Sequence, residues 1–139
     1  MSKIKLSTKY RPTEKEKFMN AKQREFFRRR LMGWRDEIVR DAMGTIQNLQ
    51  EDDGQAPDIG DRANTESERS IELRARDRQR KLVAKIDAAL GRIEDGSYGY
   101  CDDTGEPIGL KRLEARPIAT LSIEAQERHE RRERVYRNE

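Results

Sequence analysis

Apolar side chains recur at helical spacing along two long stretches of the chain. Over residues 20–50 they are mostly three or four residues apart and no proline intervenes, which predicts one long helix. Asn20 is a suitable N-cap for this helix, and Gln23 follows three residues later as in a capping box. The apolar stripe consists of Phe27, Leu31, Trp34, Ile38, Ala42 and Leu49.

A second long helix is predicted over residues 62–95, where Gly96 ends it. Either Asp61 or Thr65 would cap its N-terminus. Its apolar stripe consists of Ile71, Ala75, Leu82, Ile86, Ala89 or Leu90, and Ile93. Each stripe is too narrow for a globular core but suits one partner helix. We therefore expect the two helices to pair as an antiparallel hairpin.

The segment that joins the two helices, residues 51–61, is strongly acidic. It contains two glycines, one proline, five acidic residues and no basic residue, so we expect a loop. Each helix would be roughly 45–50 Å long at 1.5 Å per residue, so the loop would lie far from the rest of the molecule. Asp58 and Asp61 are either solvated there or reach basic residues or a metal in a recessed site. An acid–base catalytic pair is not expected, because an exposed tip has no pocket.

The two ends of the chain differ in amino-acid composition from the long helices. Residues 1–18 are basic and polar, and we expect a flexible or loosely packed segment with a short helix after Pro12. Residues 96–121 are rich in turn-forming residues and predict a hairpin around Asp102–Gly105 and a helical turn near Leu110–Ala115. The last helix would follow, with Ser122 as its N-cap.

These elements predict three parts: an N-terminal basic segment at 1–18, a coiled-coil arm at 19–95 and a head with a C-terminal helix at 96–139. Charged residues make up 41% of the chain and hydrophobic ones 33%. That is little apolar surface for a compact globule, but enough for long helices whose outer faces stay in water. The expected fold class is mainly α, with a long antiparallel coiled-coil hairpin on a small globular head.

The distribution of charge argues against general nucleic-acid binding. There are 30 basic and 27 acidic residues, giving a net charge of +3, whereas nucleic-acid binders usually cluster positive charge on one face. Consecutive even positions of a helix lie about 200° apart, so we expect the basic run of the second helix to spread around it. It would either stay solvated or dock on an acidic protein surface. The run consists of Arg74, Arg76, Arg78, Arg80 and Lys81.

Few side chains outside the arm carry distinctive chemistry. Cys101 is the only cysteine and His129 the only histidine, which excludes a disulfide framework and a four-cysteine zinc site. We expect Cys101 to be packed and His129 to be solvated. No apolar run approaches the roughly 20 residues that span a bilayer, and residues 1–11 lack a signal-peptide core. A cytoplasmic protein is expected.

Several strings resemble, in order and spacing, the DksA family of bacterial RNA polymerase-binding factors. They are LRARDR at 73–78, RKL at 80–82, YGYC at 98–101, IG at 108–109 and RLEARP at 112–117. The resemblance covers roughly residues 17–130. It implies an arm that enters the polymerase secondary channel and a tip motif Asp-x-x-Asp-x-Ala, which matches Asp58, Asp61 and Ala63. Such a protein destabilises open promoter complexes, inhibits ribosomal RNA promoters and indirectly favours some others.

The resemblance also implies a co-regulator, the nucleotide alarmone ppGpp, bound between the factor and a polymerase subunit. Family positions for ppGpp match Leu82, Lys85 and Arg116, and a position associated with polymerase docking matches Arg78. A further family lysine falls at Gln126, with Arg128 close by, so part of the nucleotide contact is altered.

The main departure from the family concerns its zinc finger. The four cysteine positions of many members read Cys101, Thr104, Ser122 and Ala125 here, so three of four ligands are missing. The chain is similar to zinc-free members, and we expect apolar packing to replace the metal. The packing residues would be Tyr98, Tyr100, Ile108, Leu110, Leu113, Leu121 and Ile123.

The sequence also allows functions other than that of a polymerase-binding regulator. A Gre-like transcript-cleavage stimulator uses a similar arm, whose tip acids hold a catalytic Mg²⁺. A structural coiled-coil adaptor would not contact polymerase at all, and a direct DNA-binding factor conflicts with the small net charge. The leading interpretation is a monomer that is not an enzyme and binds neither membranes nor specific DNA sequences.

Overall fold

The computed structural model describes the backbone of residues 5–52 and 59–137 and the side chains of residues 5–44 and 64–136. Within these residues the protein is mainly helical, as expected, and has no β-strand. Four helices follow one another: α1 at Ala21–Asp52, α2 at Ile59–Asp95, α3 at Leu110–Ala115 and α4 at Ile123–Arg137.

The N-terminus of α2 lies earlier than predicted. The helix begins at Ile59, so Asp61 and Thr65 lie inside its first two turns and neither is the N-cap. The predicted loop 51–61 was accordingly too long, since α1 continues to Asp52. Acidic residues are favourable in the first turn of a helix as well as at its N-cap, because both positions lie near the positive end of the helix dipole.

The described chain forms two compact units. Unit 1 consists of Met1–Leu31 and Ala88–Glu139, and unit 2 consists of Met32–Asp87. Tyr98 and Phe27 lie at the centre of unit 1, where both are almost fully buried and their ring centroids are 5.6 Å apart. The Tyr98 hydroxyl donates a hydrogen bond of 2.8 Å to the carbonyl of Pro117. Burial therefore leaves no unpaired hydroxyl, and it raises the pKa of Tyr98.

The N-terminal segment packs within unit 1, so the expectation of a loosely held segment was wrong from Tyr10 onward. The ring of Phe18 meets that of Tyr100 edge to face at 5.5 Å, and Met19 is buried. Gly99 makes this approach possible, because a Cβ added there would lie 3.0 Å from Cγ of Met19. The predicted short helix is a turn instead, closed by the bond from the Glu16 N–H to the Thr13 carbonyl at 3.2 Å.

A buried amide fixes the start of α1. Asn20 caps the helix as predicted, since its Oδ1 accepts the backbone N–H of Gln23 at 2.9 Å. The Gln23 side chain is fully buried and bonds in both directions. Its Oε1 accepts the N–H of Met19 at 2.8 Å, and its Nε2 donates to the carbonyl of Thr13 at 3.2 Å. Gln23 thus joins the helix to the preceding segment.

Unit 2 is a pair of antiparallel helical segments. The chain leaves along α1 and returns along α2, and Arg35 Nε meets Asp87 Oδ1 at 2.7 Å. Ile38 and Ile86 are buried in the seam between the two segments. The coiled-coil pairing expected from the two stripes is therefore present.

The predicted stripe of α2 is buried or half-buried except at Ile71, and polar residues share the inward face with it. Ile71 is 62% exposed and points away from the seam. Six half-buried positions of this region follow alternating steps of four and three, as in a coiled-coil seam. They are Thr65, Arg69, Glu72, Arg76, Gln79 and Val83, and Ala75 and Leu82 of the predicted stripe are half-buried beside them. Polar residues thus occupy much of the inward face, which an apolar stripe cannot reveal.

The head contains the predicted hairpin and helical turn. The hairpin consists of one antiparallel bridge between Tyr100 and Pro107, closed by the bond from the Gly105 N–H to the Cys101 carbonyl at 2.8 Å. Leu110 and Leu113 of α3 are buried as expected. Ile123, which was expected to pack in the head, is 52% exposed because it begins α4 on the outer face.

Candidate functional site

The residues predicted for the acidic tip fall at the edge of what the structure describes. Asp58 lies outside the described residues. Asp61 and Ala63 belong to the first turns of α2, and their side chains lie outside the described part. Their role therefore stays a prediction from the sequence.

A basic stripe follows the outer face of α2 in unit 2. Arg74, Arg78, Lys81 and Lys85 are separated by steps of four, three and four, and all are exposed. These steps keep side chains on one side of a helix. We call this set the basic stripe. The expectation that the positive charges spread around the helix therefore holds only in part.

The two remaining arginines of the run do not belong to the basic stripe. Arg76 is half-buried in the seam, and Arg80 pairs with Asp77 at 3.6 Å. Three cations of the run thus share the outer face with Lys85, and two arginines of the run lie elsewhere on the helix. Alternating positions alone gave no indication of this division.

The residues predicted for ppGpp are distributed over both units. Leu82 and Lys85 belong to unit 2, where Leu82 is half-buried and Lys85 exposed. Arg116 belongs to unit 1 and ends α3, where its backbone N–H bonds the carbonyl of Arg112 at 2.7 Å and its side chain is exposed. Gln126 uses its amide to bond Glu130 at 3.3 Å, so it supplies no positive charge where the family has lysine.

The four degenerate zinc-finger positions come together in the head through direct hydrogen bonds. The backbone N–H of Ser122 donates to Sγ of Cys101 at 3.3 Å, and the Ser122 hydroxyl accepts the N–H of Ala125 at 3.2 Å. The second bond is the predicted cap of α4. Cys101 and Ala125 are buried, and Thr104 also bonds the thiol. These hydrogen bonds thus join the hairpin of the head to the start of α4.

The surroundings of Cys101 favour its thiolate. Burial opposes ionisation, but hydrogen bonds from the side chain and backbone of Thr104 and of Ser122 outweigh it and lower the pKa of Cys101 to about 6. A closed structural zinc site needs four sulfur or nitrogen ligands. Here one thiol stands beside two hydroxyls and a methyl group, and no cluster of three potential ligands occurs in the described part of the chain. These residues do not fit zinc.

His129 was expected to be solvated, but it is bonded to the hairpin. Its Nε2 lies 2.7 Å from Oδ2 of Asp103, 26 residues away. Since a carboxylate can only accept, the imidazole donates. The pair forms one side of a cavity of about 330 Å³. The cavity is lined by Asp103, Thr104, Arg128, His129 and Arg132.

Comparison with known families matches about three quarters of the chain. Residues 23–93 match the N-terminal domain of the DnaK suppressor protein DksA, and residues 96–131 match the prokaryotic dksA/traR C4-type zinc finger. None of the helices in the described residues is long and apolar enough to cross a membrane.

Similar proteins also belong to the DksA family. The chain is 60% identical over 130 residues to the RNA polymerase-binding transcription factor DksA of Caulobacter vibrioides, covering 94% of this chain and 92% of that protein. Identity to the protein of the same name from Escherichia coli is 42%, over 90% of this chain and 83% of that one. The solved structure of transcription factor DksA2 from Pseudomonas aeruginosa superimposes with a TM-score of 0.80 at 44% identity, covering 84% and 90% of the two chains.

Proposed function

The chain belongs to the DksA family of RNA polymerase-binding transcription factors, and on that premise we propose that it enters the polymerase secondary channel and regulates promoter opening. The observation that carries this proposal is the basic stripe on α2. Four exposed cations lie on one side of a paired helix, and the sequence predicts a tip that carries Asp58 and Asp61. A stiff support of this kind can present charge to a recess that a globular protein cannot enter.

The basic stripe would dock the arm. Arg78 coincides with the family's docking position, and Arg74, Lys81 and Lys85 lie on the same face. Complementary charge across an interface accelerates encounter and fixes register. The stripe therefore favours an acidic surface of polymerase as its partner.

The tip would carry the regulatory effect. Carboxylates of Asp58 and Asp61 near the active site would perturb the polymerase and shorten the lifetime of open promoter complexes. Promoters with short-lived complexes, such as those for ribosomal RNA, would be inhibited, and others would benefit indirectly. No chemical step is assigned to the protein itself, so it would act as a regulator and not as an enzyme.

The nucleotide ppGpp would strengthen this effect. Exposed Lys85 and Arg116 are suitable phosphate ligands, because charge-assisted hydrogen bonds to phosphate are strong. Leu82 would contribute an apolar contact. Gln126 replaces a family lysine and is engaged with Glu130, so we expect weaker coupling to ppGpp than in members that keep the lysine.

The head would fold without zinc. The bond between Ser122 and Cys101 closes the knuckle, and Ala125 fills the fourth position with a buried methyl group. Tyr98, Leu110 and Leu113 supply the apolar packing. Purified protein should therefore contain no stoichiometric zinc, and a chelator should leave its melting temperature unchanged. Stoichiometric zinc, or a chelator-induced drop in melting temperature, would contradict this part.

The deciding experiment is transcription in vitro from a ribosomal RNA promoter with cognate polymerase, with and without this protein and ppGpp. Inhibition that ppGpp deepens would support both docking and the nucleotide residues. Inhibition that ppGpp does not change would support docking and reject Lys85 and Arg116 as ppGpp ligands. No effect of folded protein on active polymerase would reject the proposed regulation.

Two further measurements separate the alternatives. A Gre-like stimulator would promote RNA cleavage in stalled complexes, whereas the proposed regulator would not. A coiled-coil adaptor would fail to bind core polymerase in a pull-down. We also propose a cytoplasmic monomer without sequence-specific DNA binding, which sedimentation and a DNA titration at physiological salt would test.

A further inference from the structure

The head contains a cavity that the proposed regulation does not use. It lies between α4 and the hairpin of unit 1 and has a volume of about 330 Å³. This is the lower end of the range for small-ligand pockets, which run from about 300 to 1,000 Å³. All of its lining residues have polar or charged side chains, with Arg128, His129 and Arg132 on α4 opposite Asp103 and Thr104. A lining of this kind selects a small charged ligand.

The two arginines of the cavity are one helical turn apart on the same face of α4. Like charges at this separation repel each other. Neither Arg128 nor Arg132 has a hydrogen-bond or ion-pair partner in the described part of the chain, although Glu124 lies one turn before Arg128. Both guanidinium groups therefore retain their donors for a ligand.

The acid of the cavity is already engaged. The Asp103 carboxylate accepts the Nε2–H of His129 at 2.7 Å, which directs its charge toward the imidazole. The hydroxyl of Thr104 accepts the N–H of Glu106 at 3.2 Å and so forms a fixed wall of the cavity. The remaining unpaired charge in the cavity is positive.

We propose that Arg128 and Arg132 form a binding site for a small phosphorylated ligand in the free protein. The guanidinium fork matches two phosphate oxygens at once, and two forks one turn apart suit a ligand with several terminal phosphate oxygens. A bound anion would also relieve the repulsion between the two arginines. The site is independent of polymerase and uses neither Lys85 nor Arg116.

Inorganic pyrophosphate is the probe, titrated calorimetrically into the full-length protein at constant ionic strength adjusted with chloride. Wild type should bind it saturably at one site. The double variant Arg128→Gln/Arg132→Gln should bind at least tenfold more weakly. The matched control Arg131→Gln/Arg134→Gln removes the same charge from exposed positions of α4 outside the cavity and should bind as wild type does. Melting curves without ligand establish that all three proteins are folded.

Two kinds of result would overturn the site. If pyrophosphate does not bind saturably, or if both double variants weaken its binding equally, the helix attracts the anion only through its overall positive charge. A second probe is an oligonucleotide without terminal phosphates. If it binds in a way that depends on Arg128 and Arg132 while pyrophosphate does not bind, the cavity recognises a nucleic-acid backbone instead. Because polymerase is absent throughout, either failure leaves the proposed regulation unaffected.

Discussion

The backbone N–H of Ser122 donates to Sγ of Cys101 across 3.3 Å, joining the hairpin of the head to the start of α4. The two residues are 21 positions apart and both are buried. In a C4-type finger a metal would connect these two parts of the chain. Here a thiol that accepts hydrogen bonds performs the connection, which makes the head sensitive to the protonation of that thiol.

Stability should therefore depend on pH through Cys101. The folded pKa is about 6, below the ordinary thiol value of 9.0, so the unfolded chain holds more protons between these values. The stabilisation is fully present above pH 9 and is lost as pH falls through 6. Relative to Cys101→Ala, the wild-type melting temperature should rise from pH 6 to pH 9. Parallel profiles of the two proteins would show that the thiol does not ionise in the folded head.

Removal of one buried hydroxyl should destabilise the head measurably. Tyr98→Phe keeps the ring but leaves the carbonyl of Pro117 without its 2.8 Å bond. An unpaired buried group of this kind costs about 1–2 kcal/mol. Urea unfolding should show that loss, whereas the control Tyr136→Phe, at a residue 75% exposed, should change stability by less than about 0.5 kcal/mol. Equal values for both variants would mean that the Tyr98 bond contributes nothing.

The buried amide of Gln23 should hold the N-terminal segment in place. Gln23→Ala removes its bonds to Met19 and Thr13 and leaves a cavity, which should cost about 2–3 kcal/mol. Hydrogen exchange should become faster in residues 10–20 before the rest of the head is affected. The exposed residue Lys22 provides the control, since Lys22→Ala should leave exchange in that segment unchanged. Uniform acceleration through the head would indicate global destabilisation instead.

The tip prediction concerns Asp61. Asp61→Asn preserves the shape of the side chain but removes its charge, in the first turn of α2. We expect nearly unchanged stability and polymerase binding together with loss of promoter inhibition, because only the negative charge at the tip would act on the polymerase. Loss of a favourable charge near a helix N-terminus costs at most about 1 kcal/mol. A variant that inhibits a ribosomal RNA promoter as wild type does would show that the tip assignment is wrong.

The basic stripe should govern docking. The double reversal Arg78→Glu/Lys81→Glu places repulsive charge on the outer face of α2 and should weaken polymerase binding at least tenfold, more so at low salt. Arg80 lies outside the stripe and pairs with Asp77, so Arg80→Glu is the control. Fluorescence competition with core polymerase measures both affinities. If the control weakens binding as much as the stripe variant does, docking does not depend on this face.

Local signals in the sequence predicted most helix bounds and two of the caps. Asn20 and Ser122 cap α1 and α4 through their own side chains, as expected. The turn at Leu110–Ala115 and the end of α2 near Gly96 also follow from nearby residues. Each of these features depends on hydrogen bonds within a few residues, so the sequence contains the information directly. The family resemblance added the expected function and the tip residues, which local signals alone could not supply.

Tertiary packing decided what depends on distant partners. The exposure of Ile71 follows from the rotation of α2 against α1, because apolar spacing on one helix cannot specify which residues face the other. The pairing of His129 with Asp103 joins residues 26 apart, and the packing of Met19 depends on the missing side chain of Gly99. The sequence by itself determined the helices and the N-caps of α1 and α4, since these form from local bonds. Only the tertiary structure decided the seam, the N-terminal packing and the closure at Cys101, because each requires side chains that the fold brings together.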